Sequence, residues 1–180
     1  MKTYYKDRHI LIRKMKESDA RIIYDTYFSY GWHPNLSTYE RYYAEQSEGK
    51  RITFVAEYDG ETAGHVSLIF DPEPEEHGPF AESVVRIPLI SDLCVFFHLH
   101  NRGIGSALLD CLEAEAAERY DTVCLGVGCH SGYGPAQRLY VKRGYVFDGS
   151  GVWYQGKQLE PYAPCVNDDD LLLWMSKKLV

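Results

Sequence analysis

What the sequence lacks narrows its class first. No apolar run approaches the roughly 20 residues of a membrane span, and the opening Met1-Lys2-Thr3-Tyr4-Tyr5-Lys6 lacks the apolar core of a secretory signal. Positive charge is short: 19 Lys and Arg stand against 26 Asp and Glu, a net charge of −7. Such a surface repels polyanions, so neither nucleic acid nor an anionic membrane is an expected partner. CxxC pairs and HExxH spacings are missing, which leaves no metal site to expect. The five cysteines are odd in number. Cys94 and Cys124 sit in strand-like apolar runs and Cys111 in a helix-patterned one, the usage of buried, reduced thiols in a cytoplasmic protein. Cys129 lies nearer the loops that could form a site, but nucleophilic use would need a base and a lowered pKa, so packing is the expectation.

What is present suits one domain over residues 1–180, with 45% hydrophobic residues to build a core. His9–Arg13 alternates as a strand. Ser18 or Asp19 then caps a helix carrying Ile23, Tyr27 and Tyr30 at helical spacing. Ser37-Thr38-Tyr39-Glu40 fits a capping box for a second helix. Ile52–Tyr58 and Glu61–Phe70 flank Asp59-Gly60, a strong hairpin signal. The proline- and carboxylate-rich 71–79 reads as a loop, and Ser83–Phe97 as a long central strand with Pro88 in its path. Later segments alternate: helix to about Tyr120, strand Thr122–Val127, helix 135–143 between Pro135 and Gly144, then a strand begun at 145–147 and turned at 148–151, with 152–154 as its hairpin arm, and a last strand at 171–175. The predicted order is β-α-α-β-β-β-α-β-α-β-β, a mixed α/β (α+β) arrangement in which the middle strands are joined by hairpins.

The stretch from Leu93 to Ser106 carries the first functional signal. An apolar strand runs through a short polar link into Gly103-Ile104-Gly105-Ser106, which opens a helix. Glycines permit a tight turn and close ligand approach, and a helix start offers unpaired N–H groups and partial positive charge, a setting for phosphate. Leu108 stands where a dinucleotide fingerprint needs Gly or Ala, and no Gly-Lys-Ser/Thr follows for a P-loop. By itself such a helix start can equally bind nothing. The second signal is Ala136, Tyr140, Gly144 and Tyr145, spaced Ala-x-x-x-Tyr-x-x-x-Gly-Tyr after a strand and loop.

Together these segments resemble the GNAT family of N-acetyltransferases, whose coenzyme A loop reads Arg/Gln-x-x-Gly-x-Gly/Ala. Here it reads His100-Asn101-Arg102-Gly103-Ile104-Gly105. His100 takes the Arg/Gln position, and Tyr133 stands where the family often has Asn. The resemblance implies the GNAT fold: a mixed, mostly antiparallel sheet of about six to seven strands flanked by about four helices. It implies acetyl-CoA as co-substrate, no metal, and direct attack by an amine without an acyl-enzyme. It assigns coenzyme contacts to the strand residues Leu93, Cys94 and Val95, to His100, Asn101, Arg102, Gly103, Ile104, Gly105 and Ser106, and to Gln137 and Tyr140. Tyr140 becomes the general acid toward the departing thiolate; a phenol of pKa about 10 can protonate it. Without the resemblance, Tyr140 reads as a core aromatic. Asp92, just before the apolar run, is either the general base or a solvated carboxylate. His130 is the second candidate base and otherwise an exposed loop histidine.

Two features remain open. The acidic loop 71–79 is a solvated surface or a device that attracts a cationic amine. The aromatic insert from Val152 to Tyr162 lines an acceptor pocket, covers a sheet edge or forms a homodimer contact. The implied partner is a small-molecule or peptide amine. The competing reading is a non-catalytic acyl-CoA-binding module of the same fold.

Overall fold

A computed structural model describes residues 3–179. Among these are four α-helices and nine strands, distributed over two compact units. The first unit comprises residues up to 69 and 91–115; the second comprises 70–90 and residues from 116 onward.

The first unit starts with β1 (Thr3–Lys6) and β2 (Ile10–Lys14), followed by α1 (Glu17–Ser29) and α2 (Leu36–Ser47). The hairpin β3 (Arg51–Tyr58) and β4 (Glu61–Ile69) comes next. The unit also takes Ser91–Val95 of β5 (Leu89–Val95) and most of α3 (Ile104–Ala117). Strand neighbours run β1-β2-β3-β4-β5, and the first three pairings are antiparallel. Asp59 and Gly60 both adopt left-handed φ, 51° and 91°, between the paired Tyr58 and Glu61. That is what a two-residue type I′ hairpin demands, and it is why Asp-Gly stands there.

Helix α1 buries Ala20, Ile23 and Tyr27, one stripe at helical spacing, in a core shared with Met15, Tyr39, Tyr42, Val55 and Phe96. Its first turn is closed by Asp19, whose carboxylate accepts the Lys16 N–H at 2.7 Å, so Asp19 reaches back from inside the helix instead of preceding it. The cap of α2 is likewise not the expected Ser37. Asn35 accepts the Ser37 N–H at 3.1 Å, its short amide satisfying the donor that the hydroxyl-led box would have served. On β4, a Cβ at Gly64 would collide with the carbonyl oxygen of Cys94. Only glycine lets the two strands lie that close, and the Phe96 N–H donates to Ala63 O at 2.8 Å beside this contact.

The second unit holds the connection 70–88, the first two residues of β5, β6 (Thr122–Gly128), α4 (Gly134–Lys142), β7 (Val146–Tyr154), β8 (Lys157–Gln158) and β9 (Leu171–Lys178). Neighbours run β5-β6-β9-β7-β8. Leu89 pairs with Cys124 in parallel, and the other pairings are antiparallel. The central strand is shorter than predicted and begins after Pro88, which has no N–H for a ladder but whose carbonyl accepts from Cys124 N at 3.1 Å. The 71–80 loop contains short 3-10 turns at Pro74–Glu76 and Gly78–Phe80. The expected turn at 148–151 is instead a register shift within one strand, β7, where Gly149 and Gly151 take φ of 87° and 83°. The strands with no counterpart in the predicted order, β1 and β8, are four and two residues long, too short for periodicity to register.

Candidate active site

The central irregularity of the first unit is Asp92. Within β5 it adopts φ 56°, a left-handed conformation that ordinary L-residues avoid. Its carboxylate is held. Oδ2 accepts the Tyr42 hydroxyl at 2.7 Å and the Ser91 hydroxyl at 2.8 Å, and Arg51 Nη1 lies 3.8 Å away. Arg51 is 5% exposed. Its Nε donates to Glu45 at 2.7 Å, and its guanidinium carbon sits 4.0 Å above the centre of the Tyr42 ring. Nη1, turned toward Asp92, is buried with no hydrogen-bond partner. The side chain of Asp92 is 37% exposed, so a carboxylate reachable from solvent rests on a buried polar support.

Within electrostatic reach of that carboxylate is the buried His65, with Nε2 hydrogen-bonded to the Tyr27 hydroxyl at 2.8 Å and a buried Nδ1 that has no partner. Burial lowers the imidazole pKa to about 4, against the opposing pull of Asp92, so the ring is neutral at pH 7. Burial likewise pushes the Tyr27 hydroxyl and the Cys94 thiol upward, and Cys94 is held as a thiol. Cys129, in the second unit, is also raised by burial, in keeping with packing rather than nucleophilic use.

The loop after β5 belongs to the same unit. Phe97–Leu99 forms a 3-10 turn, and the His100 Nε2–H donates to Val95 O at 2.8 Å. The histidine at the Arg/Gln position thus folds back onto the strand. Asn101 is left-handed at φ 61°, and Arg102 donates to the Tyr58 hydroxyl at 3.2 Å while lying 5.0 Å over that ring. Gly103, at φ 80°, precedes α3 and accepts the Ala107 N–H at 3.0 Å. A Cβ there would meet nothing within 4 Å, so the turn faces open space. Ile104 anchors the helix start, 1% exposed, and Gly105 and Ser106 complete the first turn.

In the second unit, the Gln137 amide donates to Gly128 O at 2.7 Å, tying α4 to the end of β6. Tyr140 is 7% exposed and packs edge-on to Tyr145 with ring centres 5.5 Å apart. The Tyr145 N–H donates to Tyr140 O at 3.0 Å as Gly144, at φ 87°, ends the helix. His130 uses both ring nitrogens: Nε2–H donates to Asp169 at 3.0 Å and Nδ1 accepts from Gly132 N at 3.1 Å. Tyr133 donates to the same Asp169 carboxylate at 2.9 Å. His130 and Tyr133 therefore fasten the loop before α4 to the segment entering β9. In the acidic connection, Asp71 is paired with Arg86 at 2.9 Å, which offsets one of the carboxylates expected to attract a cation.

The first unit thus gathers Asp92, Leu93, Cys94, Val95 and the 100–106 loop, and the second carries Gln137 and Tyr140. Sequence reasoning missed Tyr42, Arg51, His65 and Tyr27. They come from α2, β3, β4 and α1, and no local spacing links them to Asp92. Among the described residues, no group of three or more His, Cys, Asp or Glu is arranged to hold a metal, and no helix is long and apolar enough to cross a membrane.

Comparisons with known proteins give the following. Residues 18–145 match the model of the Acetyltransferase (GNAT) family. No curated protein matches the sequence. Among solved structures, the chain is similar to the Salmonella typhimurium acetyltransferase that modifies the N-terminal serine of 50S ribosomal subunit protein L7/L12, at 13% identity and TM-score 0.69 over 99% of this chain and 100% of that one. It is similar to the L7/L12 α-N-protein acetyltransferase RimL in complex with coenzyme A, at 12% identity and TM-score 0.69 over 99% and 98%. An N-acetyltransferase from Staphylococcus aureus Mu50 matches at 18% identity and TM-score 0.69 over 95% and 99%. At these identities the likeness is one of fold.

Proposed function

The chain belongs to the acetyltransferase (GNAT) family, and we propose on that premise that it transfers the acetyl group of acetyl-CoA to a primary amine of a small molecule or peptide, as one domain over residues 1–180 in the cytoplasm. The observation that carries the donor side is the turn at Gly103: a left-handed glycine at the start of a 14-residue helix, open to approach from solvent. A backbone bared in this way suits a pyrophosphate, because N–H groups and the helix dipole point at it and no side chain intervenes. Asn101, Arg102, Gly103, Ile104, Gly105 and Ser106 hold that anion. His100 supports the loop through Val95, and Gln137 braces α4.

On the reacting side, backbone N–H groups of Leu93, Cys94 and Val95 polarise the thioester carbonyl, a contribution of a few kcal/mol for this type of donor. The amine attacks directly. Its proton passes to Asp92, the exposed carboxylate of the cluster, and Tyr140 gives a proton to the departing thiolate. Of the two readings of Asp92, general base or solvated carboxylate, its hydroxyl donors and left-handed backbone support the first. Peptide amines are included because two solved structures of similar fold are acetyltransferases of the ribosomal protein L7/L12, one of them named for its N-terminal serine.

Gly105→Val tests the donor site cleanly. Gly105 lies inside α3, where valine is a better helix former than glycine, so the substitution does not weaken the helix itself. The added side chain intrudes where the anion meets the backbone, and calorimetry should show acetyl-CoA affinity falling at least tenfold. Gly103→Val adds left-handed strain to the same block and should weaken binding further. Unchanged affinity in both folded variants would remove the coenzyme from this loop.

A further inference from the structure

We infer that Tyr42 and Arg51 are positioning residues that act through Asp92, an inference that rests on the reading of Asp92 as the acceptor of the amine proton. The geometry is convergent. Tyr42 from α2, Arg51 from β3 and Ser91 beside Asp92 on β5 all address one oxygen, Oδ2, at 2.7, 3.8 and 2.8 Å. Oδ1 is engaged by none of the three. With Oδ2 fixed, the carboxylate cannot rotate freely, and Oδ1 is presented as the atom that receives the proton. In that step an N–H bond of the acceptor ammonium breaks, its electron pair stays on nitrogen to attack the thioester, and an O–H bond forms on Oδ1.

The support is itself rigid. Tyr42 is 6% exposed and Arg51 5% exposed. Glu45, one helical turn beyond Tyr42, fixes Arg51 through Nε, and the guanidinium carbon lies 4.0 Å over the centre of the Tyr42 ring. A buried cation whose Nη1 has no hydrogen bond, yet turns toward a carboxylate 3.8 Å away, would be a costly arrangement if the pair only held the fold. A fold-holding pair closes to contact, as Arg13 and Asp19 of the same unit do at 2.6 Å. The longer approach keeps Asp92 accessible and aimed, with its charge balanced from behind.

The test is a double-mutant cycle on the full chain, with acetyl-CoA as donor and the fastest acceptor from a panel of primary alkylamines and short peptides with free N-termini. Tyr42→Phe keeps the ring under Arg51 and removes only the hydroxyl. It should lower kcat roughly ten- to a hundredfold, the range of a hydrogen bond to a charged group, with the acetyl-CoA KM unchanged. In an Asp92→Asn background the same change should have no further effect, because its target is gone. Equal losses in both backgrounds would overturn the inference and reduce Tyr42 to packing. Wild-type turnover in Asp92→Asn alone would instead overturn the proton-acceptor assignment on which it stands. Should Tyr42→Phe not fold, Arg51→Lys in the two backgrounds reads the same coupling: a loss confined to the Asp92 background supports the inference, and an equal loss in both overturns it.

Discussion

Tyr140→Phe should reduce turnover by roughly 10²–10⁴-fold, the contribution of a positioned general acid, while acetyl-CoA affinity stays within a fewfold of wild type. The substitution deletes one oxygen. Tyr140 is 7% exposed and rests edge-on against Tyr145, and the phenyl ring preserves that contact, so the helix and its glycine stop survive. The backbone bond from Tyr145 N to Tyr140 O is untouched by a side-chain change. What is lost is the proton for the leaving thiolate. A thiol is a better leaving group than an alkoxide, so the loss should be partial and should shrink with an acetyl thioester of a more acidic thiol. Near-normal turnover in the folded variant, together with indifference to the thiol, would return Tyr140 to a purely structural place.

The second large effect concerns stability. Asp19→Ala should destabilise the first unit by about 3–5 kcal/mol, the cost of stripping a buried ion pair of one partner. Arg13 and Asp19 are 3% and 1% exposed, and the guanidinium fork meets the carboxylate at 2.6 and 2.9 Å. Asp19 also closes the first turn of α1 through Lys16 N, so the same change removes a cap. Glu57 still neutralises Arg13 through Nε at 2.6 Å, which places the loss toward the lower end. Urea unfolding should show the midpoint falling with an unchanged slope. A shift worth less than about 1 kcal/mol would mean that water enters and solvates the guanidinium, as at an exposed pair.

Local signals carried far. The Asp59-Gly60 hairpin, the helix stop at Gly144 and the strand–turn–helix at Gly103 each depend on a conformation that few residues tolerate, so composition reveals them. The strip Ala20, Ile23, Tyr27 shows itself by spacing alone. The support of Asp92 was invisible for the opposite reason. Tyr42 and Arg51 look like an ordinary helical aromatic and a strand-end cation, and only the pairing order brings them to β5, from 50 and 41 residues away in the sequence. Asn35 against Ser37 at the start of α2 is a smaller case: either residue type can cap, and only the backbone decides which does. The irregularity in β7 reads as a turn in the sequence because Asp-Gly-Ser-Gly can serve either purpose until β9 is beside it.

The central claim, acetyl transfer to an amine, is tested most directly by following free thiol and acetylated product together. The purified chain is mixed with acetyl-CoA and the same panel of primary alkylamines and free N-terminal peptides. Thiol release should depend on both the chain and one class of amine, with one N-acetylated amine formed per coenzyme A released and no acetyl group left on the protein. Acetyl-CoA that binds by calorimetry yet yields no thiol with any amine of the panel would contradict the account and leave an acyl-CoA-binding module in its place.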